Sequence, residues 1–203
     1  MFSKDFYPTP EKVIEIMCNG LSLENSIAYD PQAGSGNILQ YLKSRKAIVY
    51  ASENNEKLSE IAKSYCDKFI GYDFFNINKV DICDVQFIIM NPPFSNQEAH
   101  ILHAWEIAPP ECIIVTLCNH ESISNPRNKK GTEIIRLSEE FGSYEKLGKI
   151  FIRAERSTAV DIGIIRLIKP KDENQEDDFS DFFSMDGDEE DFNIVTGKHE
   201  VVS

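Results

Sequence analysis

Asn91-Pro92-Pro93-Phe94 follows the apolar run Ile88-Ile89-Met90, an unusual way for a buried strand to end. An amide oxygen and a proline carbonyl on a stiff corner are two rigidly held acceptors. Together they suit the two hydrogens of a planar NH2 group and bias its nitrogen toward sp3 geometry. Phe94 offers a ring on which the group bearing that amine can stack. No general base is needed before attack on a good electrophile, because the proton can leave afterwards. The plain alternative is a rigid loop closing a strand.

Three further stretches join strands to helices through residues able to hold a ligand. In Tyr29-Asp30-Pro31-Gln32-Ala33-Gly34-Ser35-Gly36, the glycines allow a tight turn and a close backbone approach. This is not the dinucleotide G-x-G-x-x-G pattern, because Leu39 stands at the third glycine. Asp30 at the strand end suits a cationic or hydroxyl-rich ligand; an ordinary turn between strand and helix is the alternative. Glu53 follows the next strand, where doubly wound folds place an acid for ribose hydroxyls, although a surface glutamate would read the same. Asp73 with Phe74 and Phe75 ends the third strand. It reads as a seat for an adenine amino group and ring, or as an Asp-led turn over core phenylalanines.

Other reactive residue types carry less. His100 and His103 lie three apart on one helix near Glu98, with no further ligand cluster, so no metal is expected. The five cysteines are scattered without C-x-x-C spacing and read as buried free thiols. The stretch Asn119–Gly131 reads as a spare loop. Its His120, Arg127, Lys129 and Lys130, with Arg136, Arg153 and Arg156, form a candidate phosphate-binding face or a solvated basic loop.

The elements that must position these residues alternate. Helical spacing opens at Thr9-Pro10, with Thr9 as the expected cap, and runs through Met17. Strands are expected at Ile27–Asp30, Ala47–Ser52, Phe69–Tyr72, Val85–Met90 and Cys112–Leu117. Helices are expected around Ile38–Leu42, Leu58–Tyr65, Ala99–Ile107 and Glu133–Phe141. Tyr144–Ala154 and Thr158–Ile168 then read as an antiparallel pair. The order predicts an α/β fold: a Rossmann-like, mostly parallel, doubly wound sheet with a C-terminal antiparallel β-hairpin. Asp30 and Asn91 would then end neighbouring strands, where open α/β sheets bind ligands.

The chain has 203 residues and a net charge of −13, unevenly spread. Residues 171–203 hold two lysines against twelve acids, a net −10, leaving −3 for residues 1–170. A globular domain over 1–170 and an acidic, disordered tail over 171–203 are expected. The tail is expected to compete with nucleic acid for Arg127, Lys129 and Lys130 in a salt-sensitive way, the alternatives being an inert solubilising tail or docking of its phenylalanines on a partner. There is no apolar run of membrane-spanning length and no signal-peptide pattern, so no membrane contact and a cytoplasmic location are expected.

These motifs together resemble class I S-adenosylmethionine-dependent methyltransferases of the adenine-N6 amino type. The family hallmark is similar to Asn91-Pro92-Pro93-Phe94, its glycine motif to Asp30–Gly36, and its N-terminal cofactor motif to Phe6-Tyr7-Pro8-Thr9-Pro10. The likeness covers residues 1–170. A looser likeness, through Asn125–Gly131 and Ala154–Pro170, reaches methylase-like proteins of phages and mobile elements.

The resemblance implies S-adenosyl-L-methionine as cofactor. Tyr7 and Thr9 would hold its methionine end. Asp30, Gly34 and Gly36 would face the amine and ribose, Glu53 the ribose hydroxyls, and Asp73 and Phe74 the adenine. Asn91 and Pro92, stiffened by Pro93, would orient the acceptor amine, and Phe94 would stack on a flipped base. The implied reaction is methylation of an exocyclic amine, adenine N6 in DNA first, with an RNA base amine or a protein glutamine as alternatives. The family's long target-recognition region has no counterpart here. That implies a separate recognition partner, or a binding module that works with one.

Overall fold

The computed structural model describes residues 8–149 and 160–172. The chain divides into two units, Met1–Lys171 and Asp172–Ser203, and everything below concerns the first. Tyr7, Arg153, Arg156 and the expected tail beyond Asp172 lie outside the described residues.

Among the described residues, seven strands form one sheet in the order β3-β2-β1-β4-β5-β7-β6. They are β1 (Ile27–Asp30), β2 (Ile48–Ser52), β3 (Lys68–Gly71), β4 (Phe87–Met90), β5 (Ile113–Asn119), β6 (Gly142–Gly148) and β7 (Ile162–Ile168). The first five pair in parallel; β7 runs antiparallel to β5, and β6 antiparallel to β7. This is the fold class the alternation predicted, and the physical reason is visible in β4. All four of its residues, Phe87-Ile88-Ile89-Met90, are buried, as a parallel strand covered on both faces requires.

The helices are α1 (Glu11–Cys18), α2 (Asn37–Ser44), α3 (Glu56–Tyr65), α4 (Gln97–Ile107), α5 (His120–Ser124) and α6 (Lys129–Phe141). One apolar layer joins Ile14, Met17, Leu39, Leu42 and Ala62 to Ala28, Val49 and Ile89 of the sheet. The opposite layer joins Ile101, Ala104, Ile134 and Leu137 to Ile88, Met90, Ile114 and Ile165. Successive strand residues face opposite layers, so both clusters draw on the same strands. None of the described helices is long and apolar enough to cross a membrane.

Three expectations need correction. Thr9 does not cap α1: the cap position is Pro10, without a side-chain bond, and the Thr9 hydroxyl is used elsewhere. The stretch from Asn119 to Gly131 is not a spare loop. It holds α5 and the first turn of α6, because Asn119 caps one with a bond from Glu121 N and Asn128 caps the other with a bond from Gly131 N. Cys83 is exposed, whereas Cys18, Cys112 and Cys118 are buried.

Candidate active site

Chain order reverses between β1 and β4, which lie side by side. Their carboxyl ends deliver Asp30 and Asn91 to one cleft of about 280 Å³. Thr9, Gly34, Glu53, Asp73, Phe74 and Pro93 line it too.

The glycine turn is built by its own backbone. Ala33 N donates to Ser52 O at 3.0 Å, and Gly36 N to Ala33 O at 2.8 Å. Gly36 precedes α2 at φ +79°, and a Cβ there would come within 2.9 Å of the Tyr65 ring, so only glycine suits the position. Gly34 N donates to Glu53 Oε2 and Asn55 N to Oε1, both at 2.8 Å. Glu53 thus ties the turn to the end of β2, with its carboxylate buried at the cleft wall.

Asp30 is fully buried. Its Oδ1 accepts from Gln32 N at 3.1 Å, and its Oδ2 has no partner. Burial pushes its carboxyl up to about 8, and the Glu53 charge adds to that, while the Gln32 N–H opposes it. Gln32 also lines the cleft, and neither end of its side-chain amide has a partner. Native proteins seldom leave buried polar atoms unpaired, and this cleft presents two such acceptors, Asp30 Oδ2 and Gln32 Oε1, and one donor, Gln32 Nε2.

Asp73 caps the short turn Phe74–Asn76, its Oδ1 accepting from Phe75 N at 3.0 Å. Phe74 is 4% exposed and packs tilted on Tyr29; Phe75 is 43% exposed, and both line the same wall. Asn91 Nδ2 donates to Thr9 Oγ1 at 3.1 Å. Thr9 O accepts from Asn37 Nδ2 at 3.1 Å, and Ser35 Oγ donates to Asn37 Oδ1 at 2.6 Å. The strand-four corner, the N-terminal segment and the glycine turn are therefore one hydrogen-bonded assembly. Pro92 is buried behind it, and Phe94 is half-buried against the α1–α2 layer.

No family model matches the chain, and no curated protein does. Solved structures do match. The 23S rRNA methyltransferase ErmE aligns at TM-score 0.60 and 15% identity, covering 81% of this chain and 70% of that one. A protein from Pyrococcus horikoshii described as an RNA methyltransferase aligns at 0.56 and 21%, covering 81% and 86%. An RNA methyltransferase from Salinibacter ruber in complex with S-adenosyl-L-homocysteine aligns at 0.53 and 14%, covering 83% and 97%. The fold is that of the class I S-adenosylmethionine-dependent methyltransferases.

Within this methyltransferase fold, the basic residues sit apart from the cleft lining. Arg127, Lys129 and Lys130 are exposed around the start of α6, where two lysines in a first turn oppose the helix dipole. Arg136 is spent on ion pairs with Glu133 and Glu140. His103 Nε2 lies 3.0 Å from Phe74 O and 3.1 Å from Ile77 O, and His100 Nδ1 lies 2.8 Å from Asn96 O.

The sequence reading passed over Gln32, Asn37 and, as a cleft residue, His100. Gln32 and Asn37 flank the glycines, so their proximity was readable; their side-chain directions were not.

Proposed function

We propose that this chain transfers a methyl group from S-adenosylmethionine to an exocyclic amine, adenine N6 in DNA. One observation carries the reading. Asn91, of the Asn-Pro-Pro-Phe corner, lines the same cleft as Asp30, Gly34, Glu53 and Asp73.

The cleft fits the cofactor chemically. The unpartnered Oδ2 of Asp30 suits an ammonium, and the unpartnered Gln32 amide suits the polar amino-acid end. Glu53 has carboxylate lone pairs left for ribose hydroxyls after its two backbone bonds. Asp73 and Phe75 suit an aminopurine. When bound, the cofactor supplies an electrophilic methyl group on a sulfonium.

The protein's part is orientation. The Asn91 amide oxygen and the Pro92 carbonyl accept the two N–H bonds of the incoming amine, turning its lone pair toward the electrophile. They also stabilise the positive charge that develops on nitrogen. Phe94 stacks on the base, which a duplex must extrude at a cost of about a few kcal/mol. Pro92 and Pro93 keep the corner stiff, so little reorganisation is needed. Arg127, Lys129 and Lys130, together with Arg153 and Arg156, supply phosphate contacts, and a partner supplies target recognition.

A second reading is an RNA base amine. It is favoured by the fold likeness to proteins named as RNA methyltransferases, at identities that speak for the fold alone. Mass spectrometry of nucleosides from cellular DNA and RNA after expression tests both. N6-methyladenine in DNA, absent with Asn91→Ala, is the expected result. Methylated RNA would move the substrate to RNA. Methylated glutamine alone would move it to protein. No methyl transfer to any of the three, with cofactor still bound, would leave a binding module. Loss of one group that stabilises transition-state charge lowers turnover about 10²- to 10³-fold, so Asn91→Ala should keep cofactor affinity and lose transfer.

A further inference from the structure

α4 begins three residues after Phe94 and carries His100 into the cleft wall, beside Asp73, Phe74 and Phe75. The phenylalanines pack the imidazole: its centroid is 6.1 Å from that of Phe74, nearly parallel, and 4.7 Å from that of Phe75. Its Nδ1 lies 2.8 Å from the carbonyl oxygen of Asn96. A carbonyl oxygen only accepts, so the hydrogen of the neutral ring sits on Nδ1. Nε2 is then a lone pair, and it meets no donor among the described residues. Burial lowers the imidazole's pKa, against the opposing pull of the Asn96 bond and the Asp73 charge, so the neutral form is favoured.

We propose that His100 Nε2 accepts one hydrogen of the 6-amino group of the cofactor's adenine, with the Asp73 carboxylate accepting the other. The proposal rests on the S-adenosylmethionine reading of the cleft and extends it to a residue outside the motifs. An aromatic amine carries two hydrogens, and in a site that excludes water each needs an acceptor. Asp73 lines the cleft with carboxylate lone pairs beyond those given to Phe75 N and, at 3.4 Å, to Asn76 Nδ2. His100 is the second acceptor on the same wall. A purine with a 6-oxo group would present an oxygen to both and gain neither bond, so this pair selects adenine against hypoxanthine.

Calorimetry with S-adenosyl-L-homocysteine and its deaminated analogue S-inosyl-L-homocysteine tests this. Wild type should prefer the adenine form. His100→Phe keeps an aromatic ring against Phe74 and Phe75, and should narrow that preference about three- to tenfold, the size of one net hydrogen bond. An unchanged or wider preference in the folded variant overturns the proposal. Wild type binding neither compound overturns the cofactor reading, and the proposal with it. Nitrogen NMR of wild type needs no variant. The Nε2 signal should move toward that of a hydrogen-bonded lone pair with S-adenosyl-L-homocysteine and stay put with the inosine analogue. A signal that ignores S-adenosyl-L-homocysteine while calorimetry records its binding overturns the proposal and spares the cofactor reading.

Discussion

Asn91 and Thr9, 82 residues apart in sequence, are joined by a hydrogen bond from Asn91 Nδ2 to the Thr9 hydroxyl at 3.1 Å. The bond engages the amide nitrogen, the end that the proposed amine transfer leaves unused, and ties the Asn-Pro-Pro-Phe corner to the N-terminal segment.

Thr9→Val keeps the side chain's shape and removes the acceptor. Turnover should fall about tenfold, because the amide is no longer held and a misplaced acceptor loses transition-state stabilisation. Thr9→Ser should restore most of it. Steady-state kinetics with S-adenosyl-L-homocysteine affinity measured in parallel will separate this from a binding defect. A loss of affinity with unchanged turnover would assign Thr9 to the cofactor alone.

Asp30 makes the cleft sensitive to pH in a direction that can be worked out. Its native carboxyl titrates near 8, against 3.8 as an ordinary aspartate, so the folded protein holds a proton the unfolded chain has lost in between. The stability that neutral Asp30 provides is full below about pH 4 and declines as pH rises toward 8. The midpoint of thermal unfolding without ligand should fall over that range, and Asp30→Asn should flatten the fall. A cationic amine placed against Oδ2 favours the ionised form. Binding of S-adenosyl-L-homocysteine at pH 7 should thus release about one proton, and affinity should rise between pH 6 and 8. Calorimetry in buffers of different ionisation heat reads the proton directly. A binding heat independent of buffer would separate Asp30 from the amine.

What was legible in the sequence followed from short-range periodicity. The alternation of strands and helices placed Asp30, Glu53, Asp73 and Asn91 just past strand ends, and a parallel sheet sends all such ends to one edge. The neighbouring positions of β1 and β4 followed from the same topology. What was not legible depended on partners distant along the chain. Thr9 has the residue type of a helix cap, yet Pro10 holds the cap position and the Thr9 hydroxyl meets Asn91 instead. α6 starts at Lys129 and not at the expected Glu133: Lys129 and Lys130 are poor first-turn residues by charge, and the Asn128 cap overrides them. His100 and His103, three apart on one helix, carried no assigned role in the sequence. Only folded geometry shows each ring committed to backbone carbonyls of different elements.

Glu53 separates binding a ligand from building the site. Its two oxygens accept from Gly34 N and Asn55 N at 2.8 Å each, so the carboxylate holds the glycine turn before any ribose arrives. Glu53→Gln keeps the volume but can offer only one oxygen; the amide nitrogen would face one of two part-buried N–H donors. Leaving such a donor unpaired costs about 1–3 kcal/mol, so the variant should be destabilised by that order in denaturant unfolding. Affinity for S-adenosyl-L-homocysteine should fall by more than the tenfold expected from losing one ribose contact, because the glycine turn that lines the cleft is displaced as well. Glu53→Asp, one methylene shorter, should fail to span both N–H groups and behave like Glu53→Gln in stability. A Glu53→Gln variant with native stability and weakened binding would show that the carboxylate serves the ligand alone, and that the turn is held by the Ala33–Ser52 and Gly36–Ala33 backbone bonds.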